Sequence, residues 1–165
     1  MTPATRPARP EDHAAIRAIT DAAFEGPDES RLIEAVRAEG VALVELVVEN
    51  EPGEVIGHIL FSRMRCTPPR FFAGLAPVAV RPDHQRQGIG DALCRDGIEA
   101  LRAMGVEAVI VLGHPDYYPR FGFSHAPAAH IESPYADHGQ AFMAMELVPG
   151  VLSALIKADY PKAFD

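Results

Sequence analysis

Residues 78–93 constrain the fold more than any other stretch: Val78-Ala79-Val80-Arg81-Pro82-Asp83-His84-Gln85-Arg86-Gln87-Gly88-Ile89-Gly90-Asp91-Ala92-Leu93. They read as an apolar strand, a polar turn, a glycine-bearing loop and the start of a helix. That helix covers 91–104, with Leu93, Gly97, Leu101 and Met104 on one face and Gly105 as its stop. Residues 106–112 follow as a continuous apolar run of strand length, as expected of a buried parallel strand after a crossover helix. The loop therefore sits inside a βαβ unit, at a helix start. Unpaired N–H groups and the positive end of the helix dipole favour an anion there, a phosphate above all. Gly88 and Gly90 let the backbone approach such a ligand closely. The stretch is expected to cradle a pyrophosphate.

The remaining elements fit around this unit. A short edge strand is expected near residues 4–7, an amphipathic helix over 10–24 and a second helix over 29–39. Residues 41–49 and 55–63 are strand-like and flank the turn Glu51-Pro52-Gly53, so they should form a hairpin. Residues 66–70 read as a loop. Residues 71–80 read as a strand with Pro77 inside it, which implies an edge or a bulge. Residues 114–123 and 126–138 read as loop or irregular chain, 140–147 as a last strand, and 151–158 as a C-terminal helix. The expectation is one mixed α/β domain over 1–165, its core in 4–147, with the helix and tail in 148–165.

Composition narrows the function. A formal net charge of −8 lacks the basic face that general nucleic-acid binding needs. Two cysteines, Cys66 and Cys94, make neither a disulfide framework nor a zinc site. The chain starts without a long apolar run, and no window approaches the ~20 apolar residues of a membrane span. A cytoplasmic protein, monomeric or homodimeric and without nucleic-acid or membrane partners, is expected. His125, His130 and His138 with Asp137 match no strong ligand spacing, so no metal is expected.

A glycine loop alone supports several families. A Walker A loop ends in Gly-Lys-Ser/Thr, which Gly90-Asp91-Ala92 does not supply, and a dinucleotide fingerprint needs a further glycine or alanine. Gln85-Arg86-Gln87-Gly88-Ile89-Gly90 instead resembles the Gln/Arg-x-x-Gly-x-Gly/Ala signature of the GNAT superfamily of acyl-CoA-dependent N-acetyltransferases. Tyr118-Pro119-Arg120-Phe121-Gly122-Phe123 resembles that family's Tyr-x-Lys/Arg-x-Gly-Phe segment, one helix and one strand downstream. The segment 111–123, with Pro149-Gly150 and Tyr160-Pro161, is similar to a bacterial branch of N-acetyltransferases with poorly defined substrates.

The resemblance implies a mixed, mostly antiparallel sheet, flanked by helices and splayed between its fourth strand (71–80) and fifth strand (106–112). It implies acetyl-CoA as co-substrate, held by Val78, Ala79, Val80, Gln85, Arg86, Gln87, Gly88, Ile89, Gly90 and Asp91, with Arg81 adding charge. The reaction implied is direct attack of a primary amine, from a small molecule or peptide, on the thioester. Tyr118 takes the place of the acid that serves the leaving thiolate, with Tyr117 as fallback. The family's strand carboxylate is missing from Leu75-Ala76-Pro77-Val78-Ala79-Val80. His114, just past the fifth strand, is the best substitute base; His58 and Glu45 are weaker choices. The missing acid keeps open an alternative, a non-catalytic acyl-CoA-binding regulatory domain.

Overall fold

The computed structural model describes residues 3–165. In chain order the elements are β1 (Thr5–Pro7), α1 (His13–Phe24), α2 (Asp28–Glu39), β2 (Ala42–Glu49), β3 (Val55–Arg63), β4 (Arg65–Thr67), β5 (Phe72–Val80), α3 (Ile89–Met104), β6 (Ala108–Leu112), β7 (Ile131–Glu132), β8 (Phe142–Glu146) and β9 (Ile156–Asp159). Six strands form the main sheet in the order β1-β2-β3-β5-β6-β8. Every neighbouring pair is antiparallel except β5–β6, the pair joined by α3. The fourth and fifth strands expected from sequence are thus β5 and β6.

α3 covers one face, burying Ile89, Leu93, Cys94, Ile98 and Leu101 against Leu46, Ile59, Phe61, Leu75 and Val109. On the opposite face α1 and α2 press Ile16, Ile19, Ile33 and Val36 onto Val47 and Leu60. Beside them Ile131, Leu152, Ile156 and Tyr160 cover Phe72, Ile110 and Phe142. Burying apolar surface on both faces is what holds a layered α/β domain together. Among the described residues no helix is long and apolar enough to cross a membrane.

Two expectations fail. Residues 151–158 are not helical; they form a turn and then β9. Ile156, Ala158 and Tyr160 are buried while Lys157 between them is exposed, a period of two rather than 3.6. Residues 66–70 are not all loop either, because Arg65–Thr67 is β4. β9 pairs antiparallel with β4 and parallel with β7, making a second, three-stranded sheet. Its partners lie far away in sequence, so local pattern does not reveal the pairing.

Candidate active site

The site begins where the main sheet opens. β5 and β6 pair over four residues, from Phe72 opposite Ala108 to Leu75 opposite Val111, and then part. At the same point the β5–β3 register slips between Ile59 and Phe61, so Ala76 and Pro77 together face Leu60. This is the bulge that proline in a strand implies, and a bulge bends and twists the strand that carries it. Beyond it β5 stays paired with β3, through Val78–Ile59, Ala79–His58 and Val80–Gly57. The Arg81 N–H donates to the Ile56 carbonyl at 2.8 Å. Alternation along an antiparallel pair then directs the main-chain groups of Ala79 toward β3 and those of Val78 and Val80 toward the gap. One of these is already engaged, since Gln85 Nε2 donates to the Val80 carbonyl at 3.1 Å. Gln85 thereby ties the loop to the strand end.

The loop delivers the chain to α3, and among the described residues the N–H groups of 85–88 find no partner. Arg86 has φ of 64° and Gly88 has φ of 82°. Left-handed backbone at alternate loop positions curls N–H groups toward a common point, an anion-binding nest. Gly88 caps α3 without a side-chain bond, and the first helical bond runs from Ala92 N–H to Gly88 carbonyl at 3.1 Å. The N–H groups of Ile89, Gly90 and Asp91 precede it and have no acceptor within the helix. Arg86 is exposed beside them. Arg81 is turned aside, bonded through Nε to Asp83 at 2.8 Å and 3.7 Å from Glu54.

The third wall is the segment after β6. Tyr118 lies directly over Gly113, where a Cβ would sit 2.4 Å from the Tyr118 ring, so residue 113 must lack a side chain. The rings of Tyr117 and Phe123 meet Tyr118 edge-on, at centroid distances of 5.1 and 5.9 Å. Tyr118 is only 8% exposed. Burial, helped by the nearby Cys94 thiol, pushes its phenol well above the ordinary value. The two adjacent tyrosines differ in one respect: the Tyr117 hydroxyl donates to Asp91 Oδ1 at 2.8 Å, whereas Tyr118 borders the cavity with its hydroxyl uncommitted among the described residues. The geometry thus singles out Tyr118, and not its neighbour, as a donor available to a ligand.

These walls enclose a cavity of about 710 Å³. Val78, Ala79, Val80, Gln85, Arg86, Gly88, Ile89, Gly90, Asp91, His114 and Tyr118 all border it; Gln87 does not. Sequence reasoning missed Ala23, Phe24 and Arg120. Phe24 carries no sequence signal beyond being a large aromatic at the end of α1; that it stays 42% exposed is visible only in the structure. Arg120 stood inside the second motif, at its Lys/Arg position.

His58 and Glu45 do not border the cavity. His58 is fully buried, and its Nε2 lies 2.7 Å from Glu45 Oε2. Arg37 Nε donates to the other Glu45 oxygen at 3.1 Å. These groups form a network under α1 and α2, which removes them as candidate bases. Burial lowers the His58 pKa, so the ring is neutral and donates from Nε2. Cys94 is a buried core residue whose thiol is pushed up to about 12 by burial. His125 bonds the Phe142 carbonyl through Nδ1 at 2.9 Å.

Residues 12–123 match the sequence model of the Acetyltransferase (GNAT) family. The chain belongs to the GNAT acetyltransferase family. The chain is 30% identical over 147 residues to the uncharacterized N-acetyltransferase YhbS of Escherichia coli K12, covering 88% of each. It is 39% identical over 122 residues to YjhQ of the same strain, covering 68% of this chain and 64% of that one. The crystal structure of E. coli YhbS in complex with CoA superposes with a TM-score of 0.90 at 28% identity, covering 99% of this chain and 92% of that one. A GNAT acetyltransferase from Brucella melitensis in complex with acetyl-CoA gives 0.82 at 33% identity, covering 98% and 97%. The mixed sheet opened between β5 and β6 and flanked by helices is the GNAT fold.

Proposed function

We propose that this chain transfers an acetyl group from acetyl-CoA to a primary amine of a small molecule or peptide, by direct attack of the amine on the thioester. One observation carries the reading: the open edge of β5, the free N–H groups at the start of α3 and the uncommitted Tyr118 hydroxyl all border a single cavity. The N–H groups of residues 86–91 suit a pyrophosphate, and the main chain of Val78 and Val80 suits the amides of an extended arm, as in strand addition. The thioester supplies the activated acetyl group. In this reading a backbone N–H near Val78 stabilises the oxyanion and Tyr118 serves the departing thiolate. Acetyl-CoA-bound and CoA-bound relatives of the same fold support this assignment.

The base follows from what borders the cavity. Asp91 is the carboxylate among the described lining residues, and Tyr117 occupies it. His114 is the remaining lining side chain of a type that serves as a general base. An alkylamine has a pKa of ~10, so it reaches the site mostly protonated and must lose that proton before attack. We place the activity in a single cytoplasmic domain.

The test is thiol release from acetyl-CoA over a panel of polyamines, amino acids, aminoglycosides and peptides, with acetyl-CoA binding followed by calorimetry. Saturable binding with amine-dependent thiol release supports the proposal. Binding without turnover on any amine would return the chain to a purely acyl-CoA-binding role, and no binding overturns the reading. A Gly88→Val variant checks the cradle. A β-branched residue at φ of 82° costs roughly 1–3 kcal/mol of backbone strain, and its methyls stand where the ligand would approach. Acetyl-CoA affinity is expected to fall about tenfold, which corresponds to about 1.4 kcal/mol; unchanged affinity contradicts the placement.

A further inference from the structure

Asp91 stands in the first turn of α3, among the N–H groups read as the pyrophosphate site. A carboxylate there suits the helix dipole but opposes a bound phosphate. Two cations offset it: Arg95 Nη1 lies 3.9 Å and Arg120 Nη1 3.8 Å from Asp91 Oδ2. The other oxygen, Oδ1, accepts the Tyr117 hydroxyl. Tyr117 is fixed at two further points. The Arg120 guanidinium lies 4.4 Å from its ring centroid, and Arg120 Nε donates to its carbonyl at 2.9 Å. The edge of this fixed ring packs against Tyr118 at 83°.

We propose that Asp91 and Tyr117 are a positioning pair: their hydrogen bond locks the segment after β6 onto α3 and so sets the Tyr118 hydroxyl in the cavity. The role rests on Tyr118 serving the leaving thiolate. Asp91 therefore has two separate parts, its N–H facing the phosphate site and its carboxylate facing the tyrosines. This accounts for an acid standing where the cofactor's negative charge belongs.

The experiment uses the amine with the highest turnover in the panel. Tyr117→Phe is expected to lower kcat about tenfold, with the KM for acetyl-CoA within about twofold of wild type. Asp91→Ala is expected to lower kcat to the same extent, with a KM that falls because the carboxylate opposing the phosphates is gone. Asp91→Asn still offers a carbonyl to the phenol and recovers most of the turnover that Asp91→Ala loses. In a Tyr118→Phe background, Tyr117→Phe costs nothing further. A raised KM at constant kcat, or a full additional loss in that background, overturns the pairing. If Tyr118→Phe alone keeps full turnover, the acid reading falls instead, and the pair's role with it.

Discussion

Tyr118→Phe is expected to lower thiol release from acetyl-CoA by on the order of a hundredfold, the low end of what losing one preorganised hydrogen-bond donor to a developing anion costs. Acetyl-CoA binding by calorimetry should change by less than about twofold, since only one oxygen is removed. Phenylalanine keeps the ring that packs over Gly113 and against Tyr117 and Phe123, so the wall of the cavity survives. The effect should fall on kcat, because the hydroxyl matters once charge builds on sulfur. Burial holds the phenol above its ordinary value, so at neutral pH it carries its proton and can donate. A high pKa also makes it a reluctant acid: a free thiol titrates near 8.5, below any such phenol. The role proposed for Tyr118 is therefore first that of a hydrogen-bond donor to the developing thiolate. Turnover that survives the substitution rules this role out.

The second large effect concerns stability. Glu45→Ala removes the carboxylate shared by His58 and Arg37. Both partners are left without a counterpart, His58 in full burial and the Arg37 side chain 19% exposed. Leaving a buried donor without its acceptor in this way costs about 1–3 kcal/mol. At roughly 2–4 °C per kcal/mol for a chain of this size, the melting temperature is expected to fall by roughly 5 °C. Initial rates per folded molecule, measured well below the transition, should be retained because Glu45 does not border the cavity. Rates that fall with the melting temperature would mean that Glu45 takes part in the chemistry.

The same network makes the fold acid-labile. Burial alone would raise Glu45, but hydrogen bonds from His58 and Arg37 outweigh it and hold the carboxyl at about 2. A carboxylate depressed on folding stabilises the fold above its unfolded value, ~4.3, and that stability is lost as pH falls toward 2. His58 acts in the same direction. Burial lowers its folded pKa, so protonation favours the unfolded chain once pH drops below ~6.5. Wild-type melting temperatures should therefore decline steadily below neutrality. Glu45→Ala should show a shallower decline between pH 5 and 3.

Much of this was legible in sequence because the site is built from local signals. Gly88-Ile89-Gly90 opens a helix with an apolar stripe, and Gly113 and Tyr118 are close in the chain as well as in space. The missed parts depend on distant partners. β9 alternates buried and exposed residues, yet its pairing with β4 joins Cys66 to Ala158, which no window of sequence displays. His58 and Glu45 looked like candidate bases because both are titratable and both lie on strands near β5. Which face each occupies was invisible until α1 and α2 were placed above them. Pro77 was read correctly as a mark of irregularity, and only the register showed that its bulge and the parting of β5 from β6 coincide.

That coincidence divides β5 into two lengths with different surroundings. Residues 72–75 lie between two strands, and a change there must register as a change in how well the protein folds. Residues 78–80 are held from one side only. Their other main-chain edge faces the gap, while Ala79 is buried and Val78 and Val80 pack against the core. A side-chain change in either half is therefore felt by the fold, and only the backbone of the second half is left free to meet a ligand.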